Sequence, residues 1–174
     1  MGGNAPGDFK QSMSQAKQAW WTNYDSLFQS VGTQYGIDWK WLKAFALTES
    51  ELGSAKSVGI GINNPNDIRD SVSSDGKSWG LMQVTLSTAK GYDPTATPEK
   101  LNDPSYSVDM AAQVISDYEQ DFSPADPRYL EWVVKSYNQG PGNTQKEIET
   151  GIGFADAYWT RWQANLNKVE ANKP

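Results

Sequence analysis

The sixteen residues YGIDWKWLKAFALTES, positions 35–50, carry the reading of the fold. Gly36 suits the left-handed residue that closes one helix. Asp38 suits the cap of the next, because its carboxylate can accept the unpaired N–H groups of a first turn. Leu42 lies four positions after that cap, where it can staple back onto Ile37. A helix is therefore predicted from about Trp39 to Thr48 or beyond. Along it Leu42, Phe45, Ala46 and Glu49 fall at i, i+3, i+4 and i+7, the spacing of one buried face. A carboxylate on that face is aimed at the core. Burying it ionised is costly, so apolar neighbours should raise its pKa toward the range useful to a general acid. If the helix ends by Thr48, Glu49 instead turns outward as a solvated terminal residue. Glu51, about 200° further round, reads as solvated.

The same logic extends in both directions. Residues 1–8 are small, polar and rich in Gly and Pro, which predicts a flexible N-terminus, and the folded domain is expected over 9–170. From Phe9, the residues Met13, Ala16, Trp20, Tyr24, Leu27 and Val31 recur at spacings of three and four, an amphipathic helix stopping before Tyr35-Gly36. Asp103-Pro104 and Asp126-Pro127 repeat one start signal, an acidic cap followed by Pro at the first helical position. The first of these helices would carry Val108, Ala111, Ala112, Ile115 and Phe122 inward, and the second Leu130, Val133, Val134 and Tyr137. A last helix from about Phe154 to Leu166 presents Ala157, Tyr158 and Trp162. No segment alternates convincingly as a strand. Residues 53–77, dense in Gly, Ser, Asn and Asp, read as a long loop or a small β-hairpin, of the kind that forms one wall of a cleft. The fold class is mainly α, in one domain.

Composition narrows the chemistry. The 174 residues contain no His and no Cys, which excludes Ser-His-Asp triads, Cys/His nucleophiles and zinc held by imidazole or thiolate. Side-chain acid–base work falls mainly to carboxylates. A formal charge of −6 opposes tracking of phosphate backbones, so nucleic acid is not an expected partner. No apolar run approaches the roughly 20 residues of a membrane span. The first residues lack the basic and apolar regions of a signal peptide, and the chain as given reads as soluble.

Two further segments stand out. Gly80-Leu-Met-Gln83 offers a Gly that permits close backbone approach, an adaptable Met and an amide that both donates and accepts; a plain turn into a helix would use the same residues. Ser136-Tyr-Asn-Gln-Gly-Pro-Gly142 puts Tyr137 and Asn138 at a helix exit, where a hydroxyl and an amide beside a carboxylate suit a sugar or N-acetyl ligand. An ordinary helix end with a core Tyr is the alternative.

Taken in order, Tyr35 to Ser50, Gly80-Leu-Met-Gln83 and Ser136-Tyr-Asn-Gln-Gly140 resemble the soluble lytic transglycosylase (SLT) family of lysozyme-like enzymes, over roughly residues 30 to 165. The resemblance implies several helices around a glycan-binding cleft, and action on peptidoglycan glycan strands at the bacterial cell wall, whether periplasmic, extracellular or virion-associated. It implies Glu49 as the single catalytic acid/base, and Gly80, Leu81, Met82, Gln83, Tyr137 and Asn138 as the cleft lining. Ser74 would hold an N-acetyl group, with Ser73 and Ser78 as the alternatives in the loop. Neither metal nor cofactor is called for. The implied product is a 1,6-anhydro-muramyl end. Ser136 stands where the family usually has Ala. Goose-type lysozymes, hydrolases that share the three segments, carry acidic residues at the positions of Ser74 and Thr85; here the nearest is Asp75, which would activate water under a hydrolytic reading. A non-catalytic peptidoglycan-binding module is the more distant alternative.

Overall fold

The computed structural model describes residues 15–53 and 78–174. They form helices α1 (residues 15–22), α2 (Asp25–Tyr35), α3 (Trp39–Ser50), α4 (Leu86–Tyr92), α5 (Pro98–Asn102), α6 (Pro104–Asp121), α7 (Tyr129–Gln139), α8 (Pro141–Thr150) and α9 (Asp156–Glu170). Between α3 and α4 lie two short strands, β1 (Ser78–Trp79) and β2 (Val84–Thr85). The described chain is thus mainly helical, as expected, with one small antiparallel pair in register Ser78↔Thr85 and Trp79↔Val84. The expected loop or hairpin of 53–77 lies outside the described residues except for Gly53, and so do Met13 and the flexible N-terminus expected at 1–8.

Helix α3 occupies the centre, packed on α2 and α9. Its cap is as predicted: the Asp38 carboxylate accepts the Lys40 N–H at 2.9 Å, and Ile37 and Leu42 are both in the core. Burial exceeds the predicted stripe. Lys43, Ala44 and Leu47 are buried beside Leu42, Phe45 and Ala46, so the helix is enclosed on nearly every side. Lys43 meets that enclosure with an ion pair to Asp25 at 2.6 Å and the Trp21 ring 4.1 Å below its ammonium.

The predicted first helix is interrupted. The chain turns at residues 23–24 and α2 begins anew at Asp25, which shifts the helical phase. Trp21 and Phe28 are therefore buried with Tyr24 and Val31, while Ala16 is exposed and Trp20 and Leu27 are half-buried. The end is as expected, with Gly36 at φ 71°. Asp103 caps α6 through the Tyr106 N–H, and Val108, Ala111, Ala112, Ile115 and Phe122 all enter the core. Asp126-Pro127 does not repeat this. The Asp126 carboxylate accepts the Arg128 N–H at 2.7 Å and the Trp132 indole N–H at 3.2 Å, closing a turn, and α7 starts at Tyr129. In α9, Tyr158 and Trp162 are buried as expected, but Ala157 is exposed and Phe154 precedes the helix on the surface. Helices α4, α5 and α8 are additional. Thr85 and Thr97 cap the first two through Thr88 and Lys100 N–H groups, and Pro98 and Pro141 open α5 and α8.

Ser136 is fully buried in α7, and its hydroxyl has no hydrogen-bond partner among the described residues. An unpaired buried hydroxyl costs about 1–3 kcal/mol. Ser136→Ala is expected to stabilise the protein by about 1 kcal/mol, raising the melting temperature by roughly 2–4 °C in a circular-dichroism melt. An unchanged or lower melting temperature would mean that the hydroxyl is paired.

Candidate active site

Glu49 lies in the last turn of α3, which continues past Thr48, and its side chain is half-buried. Its Oε1 accepts a hydrogen bond from the Tyr158 hydroxyl of α9 at 2.5 Å. Burial raises its pKa, while the Tyr158 hydrogen bond and the positive field of Arg161 oppose the rise; the balance is about 7. Glu49 is thus a carboxyl group poised between acid and base near neutrality. Burial, and after it the Glu49 charge, push the Tyr137 and Tyr158 phenols well above their ordinary value, so both remain hydroxyl donors.

Directly after Glu49 the chain bends sharply. Glu51 (φ 50°) and Leu52 (φ 55°) both adopt left-handed conformations, and Gly53 N–H donates to Ser50 Oγ at 2.9 Å. Strain of this kind in non-glycine residues is held in place by its surroundings. Glu51 is exposed, as predicted, and Leu52 is buried.

The segment Gly80–Gln83 is the turn between β1 and β2. Gly80 has φ 79°, and a Cβ there would stand 1.8 Å from the Leu101 carbonyl oxygen, so only glycine fits. Three helices hold this turn by its backbone. Ser50 of α3 donates to the Leu81 carbonyl at 2.7 Å, Tyr137 of α7 donates to the Met82 carbonyl at 2.8 Å, and Ser107 of α6 accepts the Met82 N–H at 3.1 Å. The Leu81 and Met82 side chains are fully buried. Gln83, at φ 50°, turns its amide back onto the Gly80 carbonyl at 2.8 Å. Of the residues singled out in the sequence, the structure therefore gathers Glu49, Gly80–Gln83 and Tyr137 around one point. Asn138 is exposed on the last turn of α7 and Ser78 is half-buried in β1. Ser73, Ser74 and Asp75 lie outside the described residues.

Sequence reasoning assigned Tyr158 to the core alone, and Arg161 to nothing. The available signal was a Tyr, rather than a Phe, at a buried helix position, since a buried phenol needs a partner. Arg161 stacks its guanidinium over the Tyr158 ring with 5.6 Å to the centroid, which adds positive potential on the Glu49 side of α9.

Tyr137 and Tyr158 are tied together by a second cluster. Lys135, fully buried two residues before Tyr137, forms ion pairs with Glu131 at 3.0 Å and with Glu147 of α8 and Asp156 in the first turn of α9. Glu131, Glu147 and Asp156 could between them hold a metal ion, but the Lys135 ammonium stands in their midst. Burial opposes that charge, the carboxylates more than offset it, and the ammonium is held above its ordinary pKa. No helix among the described residues is long and apolar enough to cross a membrane.

Residues 26–159 match the family model described as Transglycosylase SLT domain. No curated protein matches the chain.

Proposed function

From the premise that this chain belongs to the transglycosylase SLT domain family, whose members cleave peptidoglycan, we propose that it is a lytic transglycosylase acting on the MurNAc-GlcNAc β-1,4 bond with Glu49 as its single general acid/base. The observation that carries the reading is the Glu49 carboxyl itself, half-buried, hydrogen-bonded by Tyr158 and raised to about 7. A group with that pKa holds a proton to give at neutral pH and can take one back in the next step.

The chemistry closes with one carboxyl group. Glu49 donates its proton to the leaving O4 as the C1–O4 bond breaks, and the substrate's own N-acetyl carbonyl stabilises the positive charge at C1. The sugar's 6-hydroxyl then attacks C1 and passes its proton to Glu49. The acid is restored, no water is consumed, and the product ends in 1,6-anhydro-MurNAc. In this reading the Tyr158 hydroxyl orients the carboxyl group. The Gly80–Gln83 turn, Tyr137 and Asn138 form the glycan-facing wall, Leu81 and Met82 contributing through their clamped backbone. Ser74 holds the N-acetyl group. The protein works at the bacterial cell wall on glycan strands, without metal or cofactor.

Mass spectrometry of fragments released from purified peptidoglycan tests this. Released muropeptides are expected to be about 18 Da lighter than their hydrolysed counterparts, the mass of the water not added, and to resist borohydride reduction. The rate should fall as pH rises through about 7, where Glu49 loses the proton it must donate. Reducible ends, with loss of activity in Asp75→Asn, would overturn the reading in favour of goose-type hydrolysis.

A further inference from the structure

Helix α9, which carries Tyr158 to Glu49, starts without an anchor of its own. Its N-cap is Ala155, which has no side-chain oxygen for the first turn, and the approach from α8, Gly151-Ile-Gly-Phe-Ala155, buries only the Ala155 methyl group while Ile152 and Phe154 are 65% and 70% exposed. The hold comes from Gln139, the last residue of α7. Its Oε1 accepts the Phe154 N–H at 3.0 Å, and its Nε2 donates to Glu147 Oε2 at 2.7 Å and to Thr144 Oγ1 at 3.2 Å. We propose that Gln139 is a positioning residue for the reaction: by pinning the Phe154 backbone it sets where α9 begins, and so where the Tyr158 hydroxyl meets the Glu49 carboxyl. The proposal rests on the glycan-cleaving reading above and adds to it a residue that touches neither substrate nor Glu49.

The residue type fits the task. An amide donates and accepts at once, so Gln139 can hold a carboxylate on one side and a backbone N–H on the other; a Glu here could not donate to Glu147 and would repel it. The loop is shaped to the same contact. A Cβ at Gly153 would run into the Glu147 carboxylate, so the chain lies directly on the group that Gln139 grips. The other link from α7 to the start of α9 is the Lys135 ion pair with Asp156, whose 84% exposure makes it the weaker one. Helix α7 thereby serves both walls of the site. Tyr137 fixes the Met82 carbonyl of the turn, and Gln139, two residues on, fixes the entry to α9. Among the described residues, Tyr158 and Arg161 of α9 and Tyr137 of α7 act electrostatically with Glu49; on α2, Asp25 is taken up by Lys43 and Tyr35 by Asp109, and the Gly80–Gln83 turn carries no titratable group. The Tyr158 hydrogen bond favours the ionised carboxyl, so losing its alignment leaves Glu49 holding its proton to higher pH.

The test is an NMR titration of the Glu49 side-chain carboxyl in the full chain, its resonance assigned by its loss in Glu49→Gln, with muropeptide release as the second readout. Gln139→Met keeps the length of the side chain and removes all three hydrogen bonds. The fold should hold, because Lys135 stays on Glu147 and the exposed Phe154 N–H can turn to water. The Glu49 midpoint is expected to rise by about one pH unit, and kcat to fall about tenfold with KM little changed, since a misplaced carboxyl group affects the chemical step. In a Tyr158→Phe background, Gln139→Met should add no further shift. Gln139→Asn, one carbon too short to span Phe154 and Glu147, carries the same expectations if Gln139→Met does not fold. An unchanged midpoint in a folded variant would overturn the proposal. So would an equal shift with and without the Tyr158 hydroxyl, which would mean that Gln139 does not act through it. If the midpoint moves as expected but the parent releases no muropeptides, the glycan-cleaving reading fails while the pinning of Tyr158 stands.

Discussion

Glu49→Gln is expected to lower muropeptide release by at least about 10³-fold, because in the proposed mechanism the same carboxyl group both protonates the leaving oxygen and accepts the proton of the 6-hydroxyl. The amide keeps an oxygen for the Tyr158 hydroxyl, so the shape of the site survives. Stability supplies the control. The folded-state pKa of Glu49 is raised from an ordinary 4.5 to about 7, so the native protein binds a proton more tightly than the unfolded chain does. Stability from this group is complete below about pH 4.5 and falls as pH rises toward 7 and past it, by at most about 3 kcal/mol. A neutral Gln carries no such cost. The variant should therefore be inactive and yet melt higher than the parent at pH 8, with the two melting temperatures converging at pH 4. An active variant would remove Glu49 from the mechanism, and equal melting at pH 8 would mean that its pKa is not raised.

Lys135→Met is expected to destabilise the fold by about 3–5 kcal/mol in urea denaturation, a large part of the stability of an ordinary domain. The loss comes from the partner left behind. Glu147 is only 7% exposed, and without the ammonium its carboxylate is left with the neutral Gln139 amide at 2.7 Å and the weaker field of Arg128. Asp156, 84% exposed, is solvated in any case and adds little. Replacing both ends, Lys135→Met with Glu147→Met, should recover most of the loss, since no buried charge then stands alone. A single variant within about 1 kcal/mol of the parent would show that the cluster is not held in a low-dielectric setting.

The helices that position the site could be read where caps and periodicity agreed. Asp38 with Ile37 and Leu42, Asp103 with Pro104, and Gly36 each encode a local event, and local events survive folding unchanged. Asp126-Pro127 misled for a tertiary reason. Its carboxylate is taken up by the Trp132 indole as well as by a turn, and nothing in the neighbouring sequence announces that. The break at residues 23–24 likewise has no Gly or Pro to mark it. Within the site, Glu49 was legible because a charge on an apolar stripe is an exception. Tyr158 was not, because its partner lies 109 residues away. Leu81 and Met82 show a different limit: the residues are recognisable from the motif, but their work is done by carbonyls, whose partners Ser50 and Tyr137 only the fold reveals.

The α3–α9 packing also sets the order in which the acid can come into being. Glu49 is translated early and Tyr158 late, and between them come the turn and the helices that clamp it. A chain still lacking α9 leaves Glu49 to water, ionised at neutral pH like any surface carboxylate and with no proton to give. Under the proposed role of Glu49, competence therefore arrives only with the closing helix.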